Sequence, residues 1–209
     1  MAESLEDTMD SDFEYRRMTI KEVVEKIEEA WQNEKLSPEL LPAKPDLLEC
    51  LVEHIKSLDE SLSELSAADL VCSILKQELD RIKYVVCNYL KTRLQKIERY
   101  VWYYCDHPSH LSQEETKYAK EFASNLDTHL KEVVLQHLPT NFQDINKRKA
   151  TLKPDTTRYV FMRALERKSN ITIKVSGYSV TLDVEEGSQV VLPYESVSEL
   201  VREGSAKLL

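Results

Sequence analysis

The order of apolar and polar positions predicts a helical chain that changes its period near the C-terminal end. Ile20, Val23, Val24, Ile27 and Trp31 recur at three- and four-residue steps, the spacing that lines one face of an α-helix. Ahead of them Thr19-x-x-Glu22 offers a capping box, in which each side chain accepts a backbone N–H that the first turn leaves open. Ser37-Pro38 and then Pro45 read as further helix starts, with proline at the first helical position. Leu48, Leu51, Ile55, Leu58, Leu62 and Leu65 follow at steps of 3, 4, 3, 4 and 3, a heptad seam. Ser66-Ala-Ala-Asp69 reads as a turn and cap. Beyond it Val71, Leu75, Leu79, Ile82, Val86, Leu90, Leu94, Ile97 and Val101 stripe one long helix to about Tyr104, a span of about 50 Å at ~1.5 Å per residue. The two form an antiparallel hairpin whose second helix carries more apolar stripe than its neighbour can cover. After a loop with Asp106, Pro108 and Ser109, Ser112-x-x-Glu115 caps another helix. Its stripe is Tyr118, Phe122, Asn125 or Leu126, His129 or Leu130, Val133 and His137, and Pro139 stops it.

Residues 139–157 sustain no period and carry prolines and a basic cluster, Lys147-Arg148-Lys149 with Lys153, so they read as a linker. From there the period is two. Ile171, Ile173 and Val175 alternate with polar residues, Ser176-Gly177 turns the chain, and Tyr178, Val180, Leu182 and Val184 alternate back. Glu186-Gly187-Ser188 turns it again into Val190-Val191-Leu192, and Ser196-x-x-Glu199 with Gly204 brackets one short closing helix. The expected architecture is mainly α. A flexible acidic leader over residues 1–17 precedes an N-terminal helical bundle with a long hairpin over 18–138, the linker over 139–157, and a small C-terminal β-rich domain over 158–209. A unit of roughly 55 residues buries too little surface to be secure alone, so it is expected to dock against something.

Composition narrows the chemistry. The chain has 209 residues and only three glycines, Gly177, Gly187 and Gly204, so no clustered-glycine loop is present to bring backbone against a nucleotide phosphate. The formal charge of -9 opposes binding of DNA through the net field, though local basic patches remain. Four cysteines, Cys50, Cys72, Cys87 and Cys105, lie in helical sequence without any C-x-x-C pair and read as reduced, buried thiols of an intracellular protein. The first fourteen residues hold six acids and no base, the opposite of a secretory or mitochondrial leader, and no apolar run approaches the ~20 residues that cross a bilayer. The expected location is cytosol or nucleus.

Candidate chemistry is sparse. Cys105, His107 and His110 are zinc-type donors without a fourth ligand, and a polar loop after a helix is their ordinary reading. His54, His129 and His137 are single residues on helices. No nucleophile elbow or H-E-x-x-H string occurs, and no nucleophile, base and anion site come together, so no enzymatic activity, metal or cofactor is expected. Residues 81–99 carry Arg81, Lys83, Lys91, Arg93, Lys96 and Arg99 against Glu98 alone, with Tyr84, Tyr89 and Tyr100 interleaved. Such a helix can track a nucleic-acid strand. It equally matches the acidic residues 18–69 as complementarity within a bundle or between subunits, which is the favoured reading. In the leader, Leu5, Met9 and Phe13 are spaced by four and would line one side of a helix folded into a partner's groove.

Three strings carry a resemblance to a known family: Ala30-Trp31-Gln32-Asn33-Glu34-Lys35-Leu36-Ser37-Pro38-Glu39-Leu40-Leu41, Glu78-Leu79-Asp80-Arg81-Ile82-Lys83-Tyr84, and Tyr89-Leu90-Lys91-Thr92-Arg93-Leu94-Gln95-Lys96-Ile97-Glu98. They resemble the subunit 4, or "Go", family of the eukaryotic GINS replication complex. Tyr159-Val160-Phe161-Met162-Arg163 and Glu186-Gly187-Ser188-Gln189 are similar to it as well, so the likeness runs from about residue 20 to the end. The leader and the stretch from Tyr100 to His110 match poorly. The resemblance implies a nuclear, non-catalytic subunit of a four-member heterotetramer. Such a complex joins the minichromosome maintenance ATPase ring and its third component to form the replicative helicase, with DNA contact at most indirect. It further implies that Trp31, Asn33, Glu34, Pro38, Leu40, Leu41, Arg81, Tyr84, Tyr89, Leu90, Arg93, Lys96 and Ile97 serve packing or subunit contact. The family's leader can engage a replisome hub protein, here through Leu5, Met9 and Phe13.

Overall fold

The computed structural model describes residues 18–64, 70–139, 143, 151–175 and 178–209. The leader with Leu5, Met9 and Phe13, the Ser66–Asp69 turn, the Lys147–Lys149 cluster and the Ser176-Gly177 turn lie outside the described residues. The helices are α1 (Ile20–Leu36), α2 (Pro45–Glu64), α3 (Leu70–Arg99), α4 (Val101–Asp106), α5 (Gln113–Val133) and α6 (Tyr194–Glu203). The strands are β1 (Tyr159–Ala164), β2 (Lys168–Val175), β3 (Tyr178–Val184), β4 (Gln189–Pro193) and β5 (Ala206–Leu208). The chain is mainly helical with a small C-terminal sheet region, as its periodicity requires.

The described chain divides into two compact units. The first takes the residues up to Gln32 with Lys44–Lys91, and the second takes Asn33–Ala43 with Thr92–Leu209. In the first, the Thr19 cap forms: Thr19 N–H donates to Glu22 Oε2 at 2.8 Å and Glu22 N–H to Thr19 Oγ1 at 3.4 Å. Val23 and Ile27 of α1, Leu47 and Leu51 of α2, and Ile82, Val85, Val86 and Tyr89 of α3 make its core. The heptad seam of α2 enters this core at Leu51, with Leu48, Ile55 and Leu58 half-buried at its margin, while Leu47 is the other fully buried residue.

Several expectations need correction. Ser37-Pro38 starts no helix, because residues 37–44 are irregular. Ser37 Oγ donates to the Glu39 carbonyl, Leu40 N–H donates to Tyr104 Oη and Leu41 N–H to Glu34 Oε2, so side chains from other elements satisfy the backbone that a first turn would have left open. Pro45 does start α2. The long helix ends at Arg99: Tyr100 leaves the helical well at φ -120°, ψ 35°, and α4 restarts beyond it, with Tyr103 and Tyr100 both packed edge-on against Tyr104. Its buried stripe runs Ile82, Val86, Tyr89, Arg93, Ile97, so Tyr89 rather than Leu90 faces inward and Leu90 is 38% exposed. Finally, the cysteines form no disulfide but are not buried; Cys50, Cys72 and Cys105 are half-covered and Cys87 is exposed.

In the second unit α5 begins at the expected capping box, with Ser112 N–H on Glu115 Oε2 and Glu115 N–H on Ser112 Oγ. Leu40, Ile97, Tyr104 and Ala119 pack together there. The sheet region holds an antiparallel three-stranded sheet in the order β4-β1-β5 and a β2-β3 hairpin. β1 and β5 are strands that alternation had not marked. Leu41, Val160, Met162, Ile171, Leu192, Tyr194, Val197, Val201 and Leu208 are among the residues of its core. Helix α6 starts at Tyr194, not at Ser196, because Tyr194 N–H and Glu195 N–H find the carbonyls of Arg158 and Thr156, both at 2.9 Å. Gly204 ends it at φ 80°, a left-handed position where glycine carries no Cβ penalty.

Candidate functional site

The most concentrated chemistry in the chain is a buried charge cluster in the second unit. Arg93 continues the inward stripe of α3 and its side chain is 1% exposed. Such a cation is tolerated only when fully paired. Its Nε and Nη2 form a bidentate pair with Glu115 at 2.7 and 2.9 Å. Nη1 donates to Glu34 Oε2 at 3.0 Å and to the Leu41 carbonyl at 2.7 Å, and Nη2 also reaches the His110 carbonyl at 3.0 Å. One turn on, Lys96 Nζ donates to Glu34 Oε1 at 2.7 Å, to Ser37 Oγ and the Glu39 carbonyl at 2.8 Å, and to the Glu34 carbonyl. Two cations meet two carboxylates, so the cluster is electrically balanced. Burial lowers the Lys96 ammonium below the usual lysine range, and Glu34 opposes the shift. Burial likewise raises the phenol of Tyr104 and lowers the imidazole of His110, the latter reinforced by Arg202.

The cluster grips the Ser37–Leu41 loop, and that loop reaches the sheet region. Glu39 Oε1 accepts from Tyr194 Oη at 3.0 Å and from Arg202 Nη2 at 2.7 Å. Asn33 Oδ1 accepts from Leu208 N–H at 2.9 Å, while Leu40 and Leu41 enter different apolar cores on either side. Asn33, Glu34, Leu40, Leu41, Arg93, Lys96 and Ile97 are thus brought together, with Pro38 in the loop they hold. Every group of the cluster is spent on backbone or on another charge, an arrangement that rigidifies. Glu39, Tyr104, Glu115, Tyr194 and Arg202 belong to the same arrangement and were not read from sequence as site residues, Glu115 having been read only as a helix cap. The signal available was an arginine in an apolar register, which demands counterions from somewhere.

The other expected residues lie elsewhere. Trp31 meets Tyr84 edge to face at 6.0 Å, and Tyr89 is buried in the core of the first unit. Arg81 pairs with Glu28 at 2.8 Å and Lys83 with Asp59 at 2.9 Å, so four of the six cations of the basic helix, counting Arg93 and Lys96, serve intramolecular pairs. Arg99 lies over the Tyr100 ring at 5.6 Å. These pairs are complementarity within the chain. Cys105 donates to the Ala119 carbonyl and His107 stacks on Tyr103. Among the described residues no group of three or more His, Cys, Asp or Glu is placed to hold a metal, and no helix is long and apolar enough to cross a membrane.

What the chain leaves open is apolar. Leu70, Val71 and Ile74 are exposed on the first turns of α3, with Leu90 farther along. Val133, Val134 and Leu138 are exposed at the end of α5, and Tyr159, Phe161, Val191 and Leu209 on the sheet. Where such residues form a large contiguous patch, they are the kind of surface that contacts with other macromolecules cover.

Comparison with known proteins gives these features a context. Residues 18–134 match the family model described as the GINS complex protein helical bundle domain, and residues 154–209 match that of the DNA replication complex GINS protein SLD5 C-terminus. The chain is similar to the DNA replication complex GINS protein SLD5 of Homo sapiens, 37% identical over 203 residues that cover 92% of this chain and 91% of that protein. It is also similar to the protein of the same name from Bos taurus, at 36% over 100% of this chain and 98% of the relative. With that from Arabidopsis thaliana it shares 27% over 94% and 95%.

Proposed function

Because the chain belongs to the SLD5 family of GINS DNA replication proteins, we propose that it acts as a non-catalytic scaffold subunit of a nuclear heterotetramer with three other GINS subunits. That tetramer joins the minichromosome maintenance ring and its third component in the replicative helicase, with chemistry left to the ring and DNA contact at most indirect. The leader, through Leu5, Met9 and Phe13, is the segment that engages a replisome hub protein. The observation that carries the reading is the contrast between saturated charge and unsaturated apolar surface. Arg81, Lys83, Arg93 and Lys96 are consumed inside the chain, whereas Leu70, Val71, Ile74 and Leu90 on the same helix stand exposed. Exposed apolar side chains of this sort are what a subunit contact covers.

The test is co-expression with the three other GINS subunits, followed by size-exclusion chromatography with light scattering. A stoichiometric four-chain particle is expected, and Leu90→Asp is expected to weaken it while leaving the fold of this chain intact. A chain that elutes apart from all three subunits overturns the reading.

A further inference from the structure

The start of α1 carries a pattern that the assembly reading does not use. In Arg16-Arg17-Met18-Thr19-Ile20 the chain's one pair of adjacent arginines stands three and two residues ahead of a threonine, and an apolar residue follows it directly. The leader before them holds six acids, so these arginines are the first basic side chains of the protein. A basophilic serine/threonine protein kinase selects this chemistry: carboxylates of its cleft take the guanidinium groups ahead of the acceptor hydroxyl, and an apolar pocket takes the side chain after it.

The acceptor is also well presented. Thr19 is exposed and precedes Ile20, the first residue of α1, so its hydroxyl is not enclosed by the helix. Thr19 Oγ1 accepts the Glu22 N–H at 3.4 Å, beyond the usual N–H···O range, and Thr19 N–H donates to Glu22 Oε2 at 2.8 Å, both at the surface. Entry into an extended substrate cleft requires the first turn to open. That breaks these two bonds and the one from Val23 N–H to the Thr19 carbonyl at 3.1 Å, a cost of the size by which helix ends fray. A related spacing, Arg148-Lys149-Ala150-Thr151-Leu152, has lysine in place of the second arginine and a half-buried threonine.

We propose that Thr19 is the phosphoacceptor of a basophilic serine/threonine protein kinase, and that the phosphate recaps α1. The γ-phosphoryl group of magnesium-bound ATP passes to Thr19 Oγ1. A P–O bond forms to that oxygen, the bond to the β–γ bridging oxygen breaks, ADP leaves, and the hydroxyl proton goes to the catalytic carboxylate of the kinase. The product carries a charge of about -2 at the N-terminus of a 17-residue helix, where the open N–H groups of the first turn and the helix dipole favour an anion. It repels the Glu22 carboxylate from the Thr19 N–H, so a phosphate cap replaces the capping box, with Arg16 and Arg17 as cations close by in sequence. The joint between the acidic leader and α1 thereby gains a charge switch. This inference is independent of the assembly reading.

The test treats the purified full chain with magnesium ATP and the catalytic subunit of cyclic-AMP-dependent protein kinase, with the product mapped by tandem mass spectrometry. One phosphate per chain is expected on Thr19, lost in Thr19→Ala and retained in Thr19→Ser. Arg16→Ala and Arg17→Ala, which leave the cap residues in place, are each expected to lower the rate about tenfold or more, the worth of one charge-assisted contact. In the phosphorylated chain, hydrogen exchange at the Lys21 and Glu22 amides is expected to slow by roughly fivefold. A parent chain that takes up no phosphate overturns the proposal. So does incorporation that continues at the parental rate in Thr19→Ala, which would place the acceptor at Thr151 or elsewhere. Phosphate on Thr19 with unchanged or faster exchange at those amides overturns the recapping.

Discussion

Arg93 shows how much a single side chain decides in this protein. All five of its N–H donors are directed at Glu115, Glu34 and the carbonyls of Leu41 and His110. Truncating it takes from Glu115 its cation and from Glu34 and two carbonyls a donor, and breaking a buried pair of this kind costs about 3–5 kcal/mol. Arg93→Ala is therefore expected to lower the unfolding free energy by that order in a urea titration. Arg93→Lys is expected to recover only part, because an ammonium has three donors and no planar fork to match the Glu115 carboxylate. An unchanged midpoint for Arg93→Ala would show that the cluster contributes nothing net. From sequence, Arg93 was one basic residue in a basic helix. Its partners lie 22 and 59 residues away, and no local pattern connects them.

At the scale of elements, one residue proves to do two jobs. The Ser112-x-x-Glu115 string is legible as a helix start, and α5 does start there. The Glu115 carboxylate that completes the cap is also the bidentate partner of Arg93, so Oε2 takes both the Ser112 N–H and the Arg93 Nη2, each at 2.9 Å. Ser112→Ala removes one cap bond and is expected to cost about 1 kcal/mol. Glu115→Ala is expected to cost several times more, and its effect is expected to be strongly non-additive with Arg93→Ala, as residues sharing one network are. Simple addition in a double-mutant cycle would refute the sharing. The elements that escaped notice, β1 and β5, did so for a physical reason. β1 carries Tyr159 and Phe161 on the face opposite Val160 and Met162, so alternation of polarity is broken, and β5 is only three residues long.

For the molecule as a whole, the consequence lies in the second unit, where Asn33–Leu41 is a strap between the α3–α5 residues and the sheet region. Glu39 holds Tyr194 and Arg202, and Asn33 holds the Leu208 backbone. The sheet region is therefore expected to stay bound after the covalent linker is cut. With a protease site placed in the linker after Gln143, the fragment from residue 144 onward is expected to co-elute with the remainder. Asn33→Ala with Glu39→Ala is expected to release it, since the neutral Asn33 bond contributes about 0.5–1.5 kcal/mol and each bond to the Glu39 carboxylate about 1.5–3 kcal/mol, the latter at least tenfold in retention. A parent fragment that separates on cleavage would show that the linker alone keeps it in place.

The sequence by itself determined what local periodicity and capping chemistry can express: a mainly helical chain with a small β-rich end, the helix starts at Thr19, Pro45 and Ser112, and the stop at Gly204. These follow from interactions among residues a few positions apart, where backbone geometry dictates which side chains meet. Only the tertiary structure decided that the Ser37-Pro38 segment is a loop, that Tyr89 and Arg93 rather than Leu90 face inward, and that Glu34, Arg93, Lys96 and Glu115 form one neutral cluster. Each of those outcomes depends on which distant groups satisfy a backbone N–H or a buried charge. That energy, unlike a helical period, is set by residues that are neighbours only after the chain has folded.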